Sequence, residues 1–273
     1  MTTTNATGPQ IDEKTVPVWG GRIKMRVKVA GKGPGLVYLH PSGGLAWDPF
    51  LSYLAQRYTV YAPEFPGTSV GDPYAIHSIH HLSDVVLMYE EAIRTLGISK
   101  PVLVGQSFGG MIAAELATAF PDLPSKVVLL DPIGLWREEL PIADWVSAPP
   151  EQLAALLFKD PSGEAAQSML ALPTDPNIAA SVIAARVWAI GCTAKFAWPI
   201  AERGLRSRLH RLRAPVLLVW GRDDRITPVG YADDWHGCLK ESVVAIIDDC
   251  GHIPQVEKLR ETVEAVSGFL QAA

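Results

Sequence analysis

The fifteen residues from Val102 to Leu116, VLVGQSFGGMIAAEL, constrain this chain more than any other stretch. An apolar run breaks at Gly105, presents Ser107, and passes at once into a helical pattern. A serine on so sharp a bend between strand and helix needs small residues two positions before and two after it, so that the turn can lift the hydroxyl clear of the backbone. Gly105 and Gly109 meet that need. The bare G-x-S-x-G pattern is weak evidence, and the chain contains it twice. The second copy, Gly67-Thr-Ser-Val-Gly71, has no strand leading in and no helix leading out, so Ser69 reads as a loop residue. Context selects Ser107.

A serine hydroxyl is a poor nucleophile at neutral pH unless an imidazole can take its proton and a carboxylate can hold that imidazole. Both partners lie downstream. His252 sits in Asp249-Cys-Gly-His-Ile-Pro254 and Asp224 in Gly221-Arg-Asp-Asp-Arg-Ile-Thr-Pro228, each just after an expected strand. Two residues compete with Asp224 for the acid position: Asp223, which is adjacent, and Asp131, which follows the preceding strand. If the strands are parallel, their carboxyl ends share one edge, and the three groups converge there.

The rest of the chain supports such a sheet. Segments around Gly20-Gly21 read as a hairpin within 15–29, and strands are expected near 36–40, 58–62, 101–105, 126–130, 215–220 and 242–247. Helical patterns fill 47–55, 80–96, 108–120, the stretch after Pro228, and 255–272. This alternation predicts an α/β fold with a mostly parallel central sheet covered by helices on both faces. From 134 to 211 the rhythm changes to helical pieces broken by prolines, with Trp136, Trp145, Trp188 and Trp198 among them, which reads as an inserted helical cap. The expected organisation is a flexible tail at 1–10, a core from 11–133 and 212–273, and the cap at 134–211.

With these features the chain resembles the α/β-hydrolase superfamily, in particular carboxylesterase-like serine hydrolases with a helical cap. The order of nucleophile, acid and base agrees, and Gly221, Asp224 and Pro228 match the acid motif while His252 matches the base in G-H-x-P. The resemblance implies Ser107 as nucleophile, His252 as base and Asp224 as acid. It places the oxyanion donors at the backbone of Ser42, with Gly43 next, and of Phe108. The oxyanion loop departs from the usual His-Gly start, reading His40-Pro-Ser-Gly-Gly44, and Pro41 has no backbone donor. His40 reads as a brace for that loop.

The implied activity is hydrolysis of carboxylic esters of small to medium apolar substrates through an acyl-enzyme. Alternatives are carbon–carbon bond hydrolysis of a vinylogous diketo acid, with Arg186 binding a carboxylate, and perhydrolase or haloperoxidase-like chemistry. A small-ligand receptor on the same fold is the non-enzymatic alternative. Ile253 follows the base where carbon–carbon hydrolases usually carry tryptophan. Neither cofactor nor metal is expected; His77, His80 and His81 read as a loop and helix start. The partner is a small-molecule substrate. A formal charge of −5 without a long basic run argues against nucleic acid. Apolar runs of strand length predict no membrane span. Three cysteines, Cys192, Cys238 and Cys250, suggest neither a disulfide framework nor zinc, and the polar start lacks a secretion signal, so a cytoplasmic location is expected. Capped proteins on this scaffold can form homodimers, though no residue of the sequence shows it.

Overall fold

The computed structural model describes residues 8–69 and 72–272. Residues 1–7 of the expected tail, and Val70 and Gly71 of the second G-x-S-x-G copy, lie outside the described residues. Among the described residues eight strands form one sheet: β1 (Asp12–Val18), β2 (Ile23–Ala30), β3 (Gly35–Leu39), β4 (Thr59–Pro63), β5 (Val102–Gln106), β6 (Lys126–Leu130), β7 (Val216–Gly221) and β8 (Ser242–Ile247). Their spatial order is β1-β2-β4-β3-β5-β6-β7-β8. The β1–β2 hairpin and the β2–β4 pairing are antiparallel, and every pairing from β4 to β8 is parallel.

Alternation along the strands loads two cores. Val37, Leu39, Leu103, Val127, Leu129, Leu218 and Trp220 face the helices α2 (Leu82–Thr95) and α3 (Phe108–Ala119), together with α7 (Tyr231–Cys238). Leu36, Tyr38, Val102, Val104, Val128, Leu130, Leu217 and Val219 face α1 (Pro49–Leu54) and α9 (Leu259–Gln271). Helices therefore cover both faces, as the alternating pattern requires. The closing helix is expected as one piece, but the backbone breaks at Lys258 (φ −133°, ψ 57°) into α8 (Pro254–Glu257) and α9.

Between β6 and β7 the chain is helical, with α4 (Pro150–Leu157), α5 (Glu164–Leu170) and α6 (Pro176–Ala197). Asp175 caps α6 by accepting from the N–H groups of Asn177 and Ile178, and Pro176 opens its first turn. The inference from strand-length apolar runs that no helix is long and apolar enough to cross a membrane fails here. α6 has 22 residues, and its most apolar window has a mean hydropathy of 1.4 with 17% of that window buried, so by length and composition it could cross a membrane. Ser181, Arg186 and Thr193 interrupt the run in sequence without lowering its average much. Its second half is nevertheless packed: Ala189, Cys192, Phe196 and Ala197 are buried, Thr193 Oγ1 donates to the Ser42 carbonyl at 3.3 Å, and Lys195 Nζ to the Ile76 carbonyl at 3.3 Å.

The junction of β5 and α3 shows why the motif needs glycine. A Cβ on Gly109 would stand 1.9 Å from the Leu39 carbonyl oxygen, and one on Gly105 would stand 2.3 Å from the Gly109 oxygen. Both obstacles are backbone, which cannot rotate away. Gly109→Ala is expected to destabilise the protein by roughly 3 kcal/mol or more, read as a lowered urea midpoint. A midpoint unchanged from wild type would show that α3 can move off β3 at no cost.

Candidate functional site

Each member of the site leaves the carboxyl end of a parallel strand. Ser107 follows β5 with φ +53° and ψ −115°, a conformation that non-glycine residues seldom keep unless their surroundings hold them there. Its N–H donates to the Leu130 carbonyl at 2.9 Å, and its own carbonyl accepts from Met111, opening α3. The bend is thus fixed on both sides. Phe108 is the first residue of α3, where a backbone N–H has no partner within the helix.

His252 and Asp224 complete a continuous chain of hydrogen bonds. Ser107 Oγ donates to His252 Nε2 at 2.8 Å, and His252 Nδ1–H donates to Asp224 Oδ2 at 2.7 Å; this tautomer is assigned from the carboxylate partner. Asp224 Oδ1 in turn accepts from the N–H groups of Ile226 (2.8 Å) and Thr227 (2.9 Å). All three residues are buried. A carboxylate with that many fixed donors cannot swing, so it holds the imidazole ring in one orientation.

Further residues hold the base from other directions. Gln106, a spacer within the motif, donates its Nε2–H to the His252 carbonyl at 2.8 Å. The His252 N–H donates to the carbonyl of Leu157, the last residue of α4, also at 2.8 Å. Gly221 lets the two loops approach, because a Cβ there would stand 1.9 Å from the Gly251 oxygen. Of these, only Gly221 carried a signal in the sequence, as part of the acid motif.

The loop at 40–44 lies beside the serine. His40 Nε2 accepts from the Phe65 N–H at 2.9 Å, and its Nδ1–H donates to the Pro41 carbonyl at 2.7 Å, so the side chain ties the loop to the segment after β4. Burial holds the His40 imidazole down to about 4 against the pull of that carbonyl, so it is neutral while it accepts from Phe65. Because the folded state resists protonation that the unfolded chain accepts below about 6.5, stability is lost as pH falls through the interval from 6.5 to 4. The stability gap between wild type and His40→Asn is therefore expected to narrow by about 3 kcal/mol between pH 7 and pH 4. Urea unfolding at the two pH values reads this directly, and a constant gap would contradict a neutral His40.

A cavity of about 320 Å³ opens over Ser107 and His252. Ser42, Gly43 and Gly44 form one side of it, and apolar side chains from the helices α4, α5 and α6 and their connections form much of the rest: Trp145, Leu153, Leu157, Met169, Leu170 and Ile190. Ile226 and Ile253 add to the apolar lining, with Pro41, Leu45 and Ala46 beside the 42–44 loop. Of the four tryptophans between β6 and β7, only Trp145 is among these residues. Trp188 and Trp198 are each 41% exposed and donate their indole N–H to the Pro73 carbonyl and to Asp144. Arg186 reaches the cavity wall, yet its guanidinium donates to the carbonyls of Met169 (3.1 Å) and Leu170 (3.3 Å).

The remaining candidates take other places. Asp84 Oδ2 accepts from the N–H groups of His80 and His81, closing a capping box at the start of α2, and His77 lies on a 3₁₀ turn at Pro73–Ser78. Cys192, Cys238 and Cys250 form no disulfide.

A family model described as the alpha/beta hydrolase family matches residues 36–265. The 2-hydroxy-6-oxo-6-phenylhexa-2,4-dienoate hydrolase of Burkholderia cepacia is 27% identical, over 86% of this chain and 87% of its own. The pimeloyl-[acyl-carrier protein] methyl ester esterase of Nitrosomonas europaea is also 27% identical, over 84% and 93%. Among solved structures, a 2-hydroxy-6-oxo-6-phenylhexa-2,4-dienoate hydrolase of a Rhodococcus species superimposes with a TM-score of 0.76 at 24% identity, covering 97% of this chain and 100% of that one. At that identity the likeness is one of fold.

Proposed function

The chain belongs to the alpha/beta hydrolase family, and from that membership we propose that it hydrolyses carboxylic esters of small to medium apolar acids through an acyl-enzyme. The observation that carries this reading is the hydrogen-bonded chain Ser107–His252–Asp224 beneath an apolar cavity. Ser107 Oγ attacks the ester carbonyl as His252 Nε2 takes its proton. The oxyanion that forms is held by the backbone N–H groups of Phe108 and Ser42, with Gly43 as the neighbouring donor. His252 returns the proton to the leaving alkoxide, which departs as the alcohol. Water then enters, gives its proton to His252, and attacks the acyl carbon; Ser107 leaves with that proton and the acid is released. A missing oxyanion donor commonly costs about 3 kcal/mol of transition-state stabilisation, so the 40–44 loop contributes on the scale of the side chains.

The cavity volume lies near the lower end of the range for small-molecule sites, roughly 300–1,000 Å³, and its lining favours apolar acyl groups. The inserted helices act here as a cap that shapes the acyl pocket. Across p-nitrophenyl esters of rising acyl length, kcat/KM is expected to climb about fourfold per methylene, the equivalent of about 0.8 kcal/mol, until the cavity is full, and then to fall. A flat profile, or a preference for charged acyl groups, would overturn the assignment of the pocket.

Carbon–carbon bond hydrolysis is the second reading, favoured by the Burkholderia relative and by Arg186 in the cavity wall. It ranks below ester hydrolysis because the Arg186 guanidinium is spent on the carbonyls at the end of α5, and because Ile253 follows the base. Turnover of 2-hydroxy-6-oxo-6-phenylhexa-2,4-dienoate exceeding that of every ester in the panel would reverse the order.

A further inference from the structure

Asp131 follows β6 at the same edge of the sheet and is fully buried, with a φ of +43° that few residues other than glycine keep without support. Its N–H donates to the Val219 carbonyl at 3.0 Å, and its Oδ1 accepts from the Gly221 N–H at 2.9 Å. Its Oδ2 is buried with no donor pointing at it. Asp131, Asp224 and His252 each offer a side-chain atom within 4.8 Å of the others. Two ionised carboxylates so close, shut away from water, would repel each other strongly and leave one oxygen unsatisfied. A single proton on Asp131 removes both penalties.

We propose that Asp131 stands as a carboxylic acid whose Oδ2–H donates to the Asp224 carboxylate, which makes it a positioning residue for the acid that holds His252. The inference rests on the reading of Ser107, His252 and Asp224 as the reacting groups. Burial, and after it the nearby charge of Asp224, push the Asp131 carboxyl well above the ordinary carboxylate range. Asp224 faces it from the loop after β7, and His252 and the Cys250 thiol from the loop after β8. Burial pushes the Cys250 thiol up as well, so the thiol brings no negative charge of its own; Glu257 and Lys258 act on that thiol with opposite signs. Asp224 already receives three hydrogen bonds, and the Asp131 proton supplies a fourth.

Asp131→Asn keeps the shape, an acceptor for Gly221 and a donor toward Asp224, while removing the titration. In wild type, folding takes up a proton between the unfolded carboxylate range, about 3.9, and the raised range of the buried acid, so over that interval its stability falls relative to the Asn variant as pH rises. The melting temperature of Asp131→Asn is expected to equal or trail wild type near pH 4 and to lead it by roughly several degrees at pH 8. An infrared carbonyl band of a buried carboxylic acid, present in wild type, should vanish in this variant. In ester turnover at neutral pH, Asp131→Asn is expected to stay within about threefold of wild type, and Asp131→Ala to lose about tenfold or more in kcat at unchanged KM.

The proposal is overturned if the band is absent from wild type or survives in Asp131→Asn, if the two proteins share one dependence of stability on pH, or if Asn and Ala depress kcat alike. Should Asp131→Ala fail to fold, the infrared and pH comparisons between wild type and Asp131→Asn decide alone. Those two measurements involve no turnover, so they stand even if an active Ser107→Ala protein were to defeat the reading of the site.

Discussion

Ser107→Ala is expected to leave a folded protein whose kcat on its best ester falls at least about ten-thousand-fold. The magnitude follows from the mechanism: without the hydroxyl no acyl-enzyme can form, and only binding and the oxyanion donors remain to assist direct attack by water. Folding should be spared, because alanine also carries a Cβ and therefore meets the same strain at φ +53° that serine already bears. A fluorophosphonate probe should label wild type and leave the variant untouched. Turnover of Ser107→Ala near the wild-type rate would end the case for a serine hydrolase, and failure of wild type to take the probe would favour a receptor role for the cavity.

Asp224→Asn should lose about ten-thousand-fold in kcat at neutral pH with little change in KM. The N–H groups of Ile226 and Thr227 bind Oδ1, which pins the amide so that its NH₂ faces His252. The imidazole then has to accept at Nδ1 and carry its proton on Nε2, where it cannot take one from Ser107. The geometry stays while the tautomer reverses, so circular dichroism and substrate affinity should match wild type. A modest loss, below about a hundredfold, would mean that another carboxylate holds the base, and Asp131 is the one within reach.

The chemistry was easier to read from the sequence than the pocket was, and the reason is physical. Gly105, Gly109 and Gly221 occupy places where one carbon atom would strike backbone, so the constraint is written in single letters at fixed spacing. Ser107 and His252 follow strands that periodicity alone locates. The choice between Asp224 and Asp131 was harder, because both follow parallel strands at one edge and spacing alone treats them alike. Only the fold separates a carboxylate 2.7 Å from the imidazole from a carboxyl group that bonds Gly221 instead. Between β6 and β7 the order of the helices does not reveal which tryptophan turns inward: Trp145 lines the cavity, whereas Trp188 and Trp198 hydrogen-bond at the surface. Gln106 acts on the base from a spacer position that the motif leaves open, and Leu157 acts through a backbone carbonyl that any residue could supply.

The bond from the His252 amide to the Leu157 carbonyl bears on how such a protein can be re-engineered. Transplanting a foreign segment between β6 and β7 would alter more than selectivity, since the graft must also present an acceptor at that spot or leave the imidazole loop slack. Chimaeras without one should be sluggish toward all substrates alike, and restoring that one acceptor should recover rate before any preference is retuned.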